Sequence, residues 1–299
     1  MVAVDVMAVV NGLLGDSLAD SGSRLATGMT ARCGDTVLAA DDHDQHERVG
    51  GLVEPGDRLC VLVHGLMSTE SIWQFPTERA TTYGTLLAPD HGVTVLSVRY
   101  NTGRHVSANG RELARLLDAV VAAWPRRVRE ISLVGHSMGG LVVRSALHYG
   151  RRLRPHHRKL GIRSRWTGRV RRVVLIGTPH TGAGLEVLAN SVSAALWALP
   201  CPPMRLAALG LDRRSAGIKD LRFGAILDED WLEHDPDVGD RPHPHHPVRL
   251  PRTRLLTIAG SVTSDPAHPV AHVLGDALVT SSSATGRSDD GEMFPGATH

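Results

Sequence analysis

Short, continuous apolar runs alternate along this chain with longer stretches in which apolar residues recur every three or four positions. Leu59-Cys60-Val61-Leu62-Val63 has no polar member, and Val93–Val98, Glu130–Val134, Val173–Ile176 and Leu255–Ile258 are short, mostly apolar runs. Runs like these predict strands buried on both faces, as in parallel sheets sandwiched between helices. Between them, residues 4–20 place Val6, Val9, Val10, Leu13, Leu14 and Ala19 at helical spacing. Glu78–Ala88 also reads as a helix, as do Asn109–Ala123, with the stripe Leu113, Leu116, Leu117, Val120 and Val121, and the run from Leu141 to Leu147. Thr36–Ala39 is a weak strand that forms a hairpin with the segment before it, and Glu292–Phe294 is a short last strand. The alternation predicts an α/β architecture with a mostly parallel central sheet and helices on both faces. At 299 residues it reads as one large domain, with residues 1–54 as an N-terminal helix and hairpin extension.

Two inserts break the order. Residues 151–172 hold ten Lys or Arg and no acid, which leaves 23 basic against 31 acidic residues elsewhere. The formal charge of +2 therefore hides a mildly acidic chain with one basic segment. That segment is a solvated loop or a contact for an anionic membrane surface through Arg151–Arg172. Nucleic acid is not expected, because stacking needs interleaved aromatics and only Trp166 is present. Residues 184–250 form the second insert, with apolar helical pieces from Leu185 to Leu199 and around Met204 to Leu211. It is expected to be a helical cap over the C-terminal edge of the sheet. It ends in the tract Arg241 to Pro247, whose prolines force extended backbone and deny its histidines a fixed ligand geometry, so no metal is expected.

Hydrophobic residues make up 42% and charged residues 21%, the balance of a soluble globular protein. Cys33, Cys60 and Cys201 are odd in number and widely spaced, which predicts free thiols rather than a disulfide framework or a zinc site. The apolar N-terminus has no Lys or Arg before Arg24 and is broken by Asp5, Asn11 and Asp16, so it does not read as a signal peptide. No run approaches a membrane span. A cytoplasmic location follows as the expectation, with oligomeric state open.

The chemistry concentrates at Gly135-His136-Ser137-Met138-Gly139-Gly140, between a strand run and a helix run. A serine on so sharp a strand-to-helix turn is strained, and glycines two positions either side remove clashes. Ser137 is the candidate nucleophile. A serine hydroxyl needs a base held by a carboxylate, and two backbone N–H groups where the oxyanion forms. The Met138 N–H opens the helix after the serine. The second donor is the Leu66 N–H, after the early strand in Val63-His64-Gly65-Leu66. His64 precedes the serine and reads as a turn-supporting residue, and His136 and His180 as rigid residues near the site. With the chain order Ser, acid, His, the acid follows the strand at 255–258, where Asp265 and Asp276 are the candidates. Pro266 beside Asp265 suits a helix cap instead. His299 is the histidine that follows Asp276, while His268 and His272 would pair with Asp265. As the last residue, His299 would carry its own α-carboxylate, which raises an imidazole pKa.

The strings VHGLM, RYNTGRH, GHSMGG, GTPH and GDALV followed by SS occur in that order. Together they resemble α/β-hydrolase lipases and esterases, in particular the actinobacterial branch similar to GPI inositol-deacylases and triacylglycerol lipases. The resemblance spans roughly residues 55–299. It implies an α/β-hydrolase fold, a triad completed by Asp276 and His299, and no cofactor. It also implies that the Gly177-Thr178-Pro179-His180 run shapes the site without doing chemistry. The expected substrate is a small-molecule or lipid ester with a hydrophobic acyl group, cleaved through an acyl-enzyme. A thioesterase or acyltransferase would use the same chemistry, and a non-catalytic binding protein on the same fold is the alternative from another class.

Overall fold

A computed structural model describes residues 5–41, 44–50, 55–75, 81–86, 92–152, 166–183, 215–232, 252–261 and 291–295. The expected strands form one eight-stranded sheet in the order β2-β1-β4-β3-β5-β6-β7-β8. Its members are β1 (Thr30–Cys33), β2 (Thr36–Leu38), β3 (Arg58–Val63), β4 (Val93–Arg99), β5 (Glu130–His136), β6 (Val170–Ile176), β7 (Arg254–Ser261) and β8 (Gly291–Pro295). From β4 across to β8 all neighbours are parallel, and β1 alone runs antiparallel to both β4 and β2. The hairpin expected around Thr36 is thus the edge of the main sheet.

Strand β3 shows why the apolar runs are continuous. Leu59, Val61 and Val63 belong to the large core shared with helix α3 (Val106–Ala123) and helix α4 (Met138–Arg152). Cys60 and Leu62 face the other way, against Trp73, Val95 and Val134. Both faces are buried, so neither tolerates a polar residue. Helix α3 buries its whole predicted stripe, Leu113, Leu116, Leu117, Val120 and Val121. It crosses α4 closely enough that a Cβ at Gly110 would overlap the Ser145 side chain. Cys33 and Cys60 are free thiols, and burial raises the Cys60 thiol to about 11; Cys201 lies outside the described residues.

Helix α1 (Val6–Asp20) forms as expected, capped by Asp5, whose carboxylate accepts the Met7 N–H at 3.0 Å and the Ala8 N–H at 3.2 Å. The face it buries corrects the periodicity. Ala8, Val9, Asn11, Gly12 and Gly15 point inward, while Val6, Val10, Leu13 and Leu14 are half-buried. The reason is close approach. A Cβ at Gly12 would overlap Met67, and one at Gly15 would overlap Asn101. Asn11 is buried because its amide is used in full: Nδ2 donates to the Met7 and Leu25 carbonyls, and Oδ1 accepts the Thr27 N–H at 2.8 Å. Of the helix expected over Glu78–Ala88, residues 81–86 are described, and 83–86 are helical. Of the segment expected to form a cap, residues 215–232 are described, with helix α5 (Ala216–Phe223) at their start.

Candidate active site

Ser137 stands alone between the end of β5 and the start of α4, with φ 53°. That left-handed backbone costs a non-glycine residue on the order of 1–3 kcal/mol, so the surroundings must hold it. They do so at both ends of the turn. The Ser137 N–H donates to the Ile176 carbonyl of β6 at 2.8 Å, and its own carbonyl accepts the Gly140 N–H at 3.0 Å. A Cβ at Gly135 would stand 2.6 Å from the Gly140 Cα, and one at Gly139 would overlap the Val63 and His64 carbonyls. These glycines let strand, helix and the neighbouring strand end meet. Ser137 is only 8% exposed, and the free N–H end of α4 lies beside it.

The loop after β3 presses against the serine from the other side. A Cβ at Gly65 would be 3.0 Å from the Ser137 Cβ, so Gly65 is the residue that permits contact. His64 anchors the loop. Its ring stacks on Tyr100 at 4.5 Å, its Nδ1–H donates to the Gly65 carbonyl at 2.9 Å, and the Tyr100 hydroxyl donates to the His64 carbonyl at 2.8 Å. Burial pushes the His64 pKa down to about 4, so the ring is neutral and supports the turn. Two residues on, Met67 also has a left-handed backbone, φ 54°, and its N–H donates to the Thr102 Oγ1 at 3.2 Å. Farther along, the Glu70 carboxylate takes both hydrogen bonds of the Arg99 guanidinium at 2.7 Å. Leu66 is therefore held between two fixed points, His64 and Met67.

Beyond β6, Thr178 packs on Gly140 in the first turn of α4. Arg144 of α4 donates to the His180 Nδ1 at 2.8 Å, which places the His180 proton on Nε2. Burial first, then the Arg144 charge, push the His180 pKa down to about 3. His180 is thus a fixed, neutral residue, in line with the expectation.

A further group was not anticipated. The Asp220 carboxylate of α5 accepts the Val106 N–H at the start of α3 at 2.7 Å and meets the His105 Nδ1 at 3.1 Å. His105 stacks on Trp231 at 3.6 Å, and the Trp231 indole donates to the Ser107 hydroxyl at 3.0 Å. The start of α5 reaches the catalytic turn itself, since a Cβ at Gly217 would stand 3.0 Å from the Met138 Cε. His105 and Asp220 are 115 residues apart, and no spacing rule links them. Tyr100, Asn101 and Thr102 belong to the RYNTGRH string, but only the fold gives them a task.

Of the expected site residues, Ser137 and Met138 form the turn, and Gly65, the neighbour of Leu66, meets Ser137. Asp276 and His299, with the alternatives Asp265, His268 and His272, lie outside the described residues, as does the His/Pro tract. Among the described residues no His, Cys, Asp or Glu group is arranged to hold a metal, and no helix is long and apolar enough to cross a membrane. Of the described ends of the basic insert, Arg151 sits in the last turn of α4, Arg169 closes a short turn, and Arg171 and Arg172 are among the first positions of β6.

The sheet order, the antiparallel strand β1 and the strand-serine-helix turn constitute an α/β-hydrolase fold. Among solved structures, the chain is similar to the mature lipase BlEst2 of Bacillus licheniformis at 20% identity, covering 83% of this chain and 86% of that one, with a TM-score of 0.46. It is similar to the esterase Pf2001 of Pyrococcus furiosus at 12% identity, covering 83% and 76%, with a TM-score of 0.41. The bottromycin epimerase BotH, in complex with bottromycin A2, aligns at 19% identity over 83% and 84%, with a TM-score of 0.36. No curated protein matches the sequence. Residues 54–187, which carry β3, the loop after it and the serine turn, match the family described as "Putative serine esterase (DUF676)", and over that part the chain is similar to serine esterases.

Proposed function

We propose that this protein is a serine hydrolase of carboxylic esters whose acyl groups are hydrophobic. The observation that carries the reading is the strained Ser137, φ 53°, with Gly65 directly against it. Neither feature is needed to close the sheet, and strain held in place by its surroundings is characteristic of reacting residues. In this reading the Ser137 Oγ bonds to the acyl carbon while its proton passes to His299, oriented by Asp276. The Leu66 and Met138 N–H groups receive the oxyanion. Collapse breaks the ester C–O bond, and the alcohol leaves with the proton from His299. Water, activated by the same histidine, then releases the acid and restores Ser137. The apolar pieces at Leu185–Leu199 and Met204–Leu211 are the reason to expect a hydrophobic acyl chain.

A fluorophosphonate probe tests the nucleophile directly. The folded protein labels, and Ser137→Ala abolishes the label. A folded wild-type protein that stays unlabelled overturns the proposal. For the acid, Asp276→Asn is expected to remove p-nitrophenyl ester turnover while Asp265→Asn leaves most of it. The reverse outcome moves the role to Asp265.

A further inference from the structure

The parallel strands bring one kind of side chain to a single end of the sheet. Arg58 is the first residue of β3, Arg126 and Arg127 lead into β5, Arg172 is near the start of β6, and Arg252 and Arg254 open β7. All six are exposed. Strands stand about 4.8 Å apart, so these four neighbours spread the charge over a strip roughly 15 Å wide. Among the described residues that lead into or open these strands, two are acids, and both are engaged. Asp57 meets Arg129 at 3.2 Å, and Glu130 meets Arg172 at 3.6 Å. Arg126, Arg127, Arg252 and Arg254 have no carboxylate partner among the described residues. Moreover, Arg172 and Arg254 are direct partners across β6 and β7. Like charges in register repel and weaken a sheet, so folding alone gives no reason to keep them there.

The opposite end carries mixed charge. Helix α1 rests on the loops beside Ser137 and carries Asp5, Asp16 and Asp20 with no Lys or Arg, Arg99 and Arg104 pair with Glu70 and Glu112, and α5 carries Lys219 and Arg222. An anionic surface would attract the strand starts most strongly, because their described arginines outnumber their acids. Helix α4 runs between the two ends, and its 15 residues separate them by about 22 Å. The basic face is a row of strand starts, with Trp124 and Trp166 at this end buried, so it presents no aromatic platform on which bases could stack. A broad, exposed guanidinium strip suits the headgroup plane of a bilayer better than a nucleic acid groove.

We propose that the face formed by the starts of β3, β5, β6 and β7 docks on the anionic phospholipid surface of a bilayer, with Ser137 turned away from it. The inference does not depend on the esterase reading, since it concerns the end of the molecule remote from the serine. It also moves the expected membrane contact from the insert 151–172 to the sheet edge that carries its ends.

Co-sedimentation of the full chain with phosphatidylcholine vesicles containing roughly one-third phosphatidylserine tests it, because each lost arginine should weaken binding about 5-fold. The paired variants R126Q/R127Q and R252Q/R254Q should each bind on the order of 25-fold more weakly. Combining them should abolish binding, and added salt should do the same. All substituted positions are exposed, and either pair suffices if the fourfold variant does not fold. Ser137→Ala should bind like the wild type, so failure here leaves the esterase reading standing. Equal binding to pure phosphatidylcholine, binding unaffected by both pairs, or capture of duplex DNA or RNA without vesicle binding would each overturn the proposal.

Discussion

His64 is neutral throughout the range in which a histidine-assisted serine works, because burial pushes its pKa down to about 4. The unfolded chain titrates near the ordinary 6.5, so between the two values the unfolded state binds a proton that the folded state refuses. The sign follows: stability is full above about 6.5 and falls as pH drops toward 4, by roughly 3 kcal/mol over the whole shift. His64→Gln should flatten that acid limb of the thermal midpoint, and an unchanged limb would assign the loss to other groups. Thr102 acts on the same loop through one bond, its Oγ1 accepting the Met67 N–H at 3.2 Å. Under the proposed chemistry, Thr102→Val frees the left-handed Met67 and lets the Leu66 N–H drift. Misplacement of this size lowers kcat on the order of 10- to 100-fold. KM and thermal midpoint should hardly move, and Thr102→Ser should restore the rate. A matching loss of stability would show that Thr102 serves the fold and not the donor.

Residues 215–232 tie three helices together. The Ser215 hydroxyl donates to the Gly12 carbonyl of α1 at 2.7 Å, Asp220 caps α3, and the Ile226 carbonyl accepts the Ser145 hydroxyl of α4 at 2.6 Å. Asp220 is almost fully buried, so Asp220→Asn leaves the Val106 N–H and His105 without a carboxylate. Losing such a charged cap costs about 1–3 kcal/mol. A fall in thermal midpoint is the expected outcome, and an unchanged midpoint would mean that Trp231 and Arg111, paired with Asp228, hold the segment alone. These ties explain what could be read from the sequence. Strand β3 was legible because two-sided burial leaves an unbroken apolar run, and β5 and β6 because apolar residues dominate their second halves. The buried face of α1 was not, because Gly12 and Gly15 admit neighbours by lacking a side chain, which no hydrophobic count registers. The serine turn was legible because its constraint is local, within Gly135 to Gly139. Thr102 and Asp220 were not, because their partners lie 35 and over 100 residues away.

At the scale of the molecule, parallel topology separates two tasks. All strand ends that carry site loops lie on one side, and all strand starts that carry the arginines lie on the other. This separation was hidden in the sequence, where the basic residues look like one insert, because the strand order that gathers the starts of β3, β5, β6 and β7, and the register that sets Arg172 beside Arg254, exist only in the fold. It has a kinetic consequence if both proposals hold. A lipase whose mouth meets a bilayer gains activity when the bilayer is supplied. Here bound protein would keep Ser137 facing water, about 22 Å from the docking face along α4. Turnover of a soluble short-chain p-nitrophenyl ester should therefore be the same for free protein and for protein saturated with phosphatidylserine vesicles. The R126Q/R127Q variant should show that same rate while no longer sedimenting. Strong activation on vesicles, lost together with binding in that variant, would place the catalytic mouth at the bilayer and refute the outward orientation.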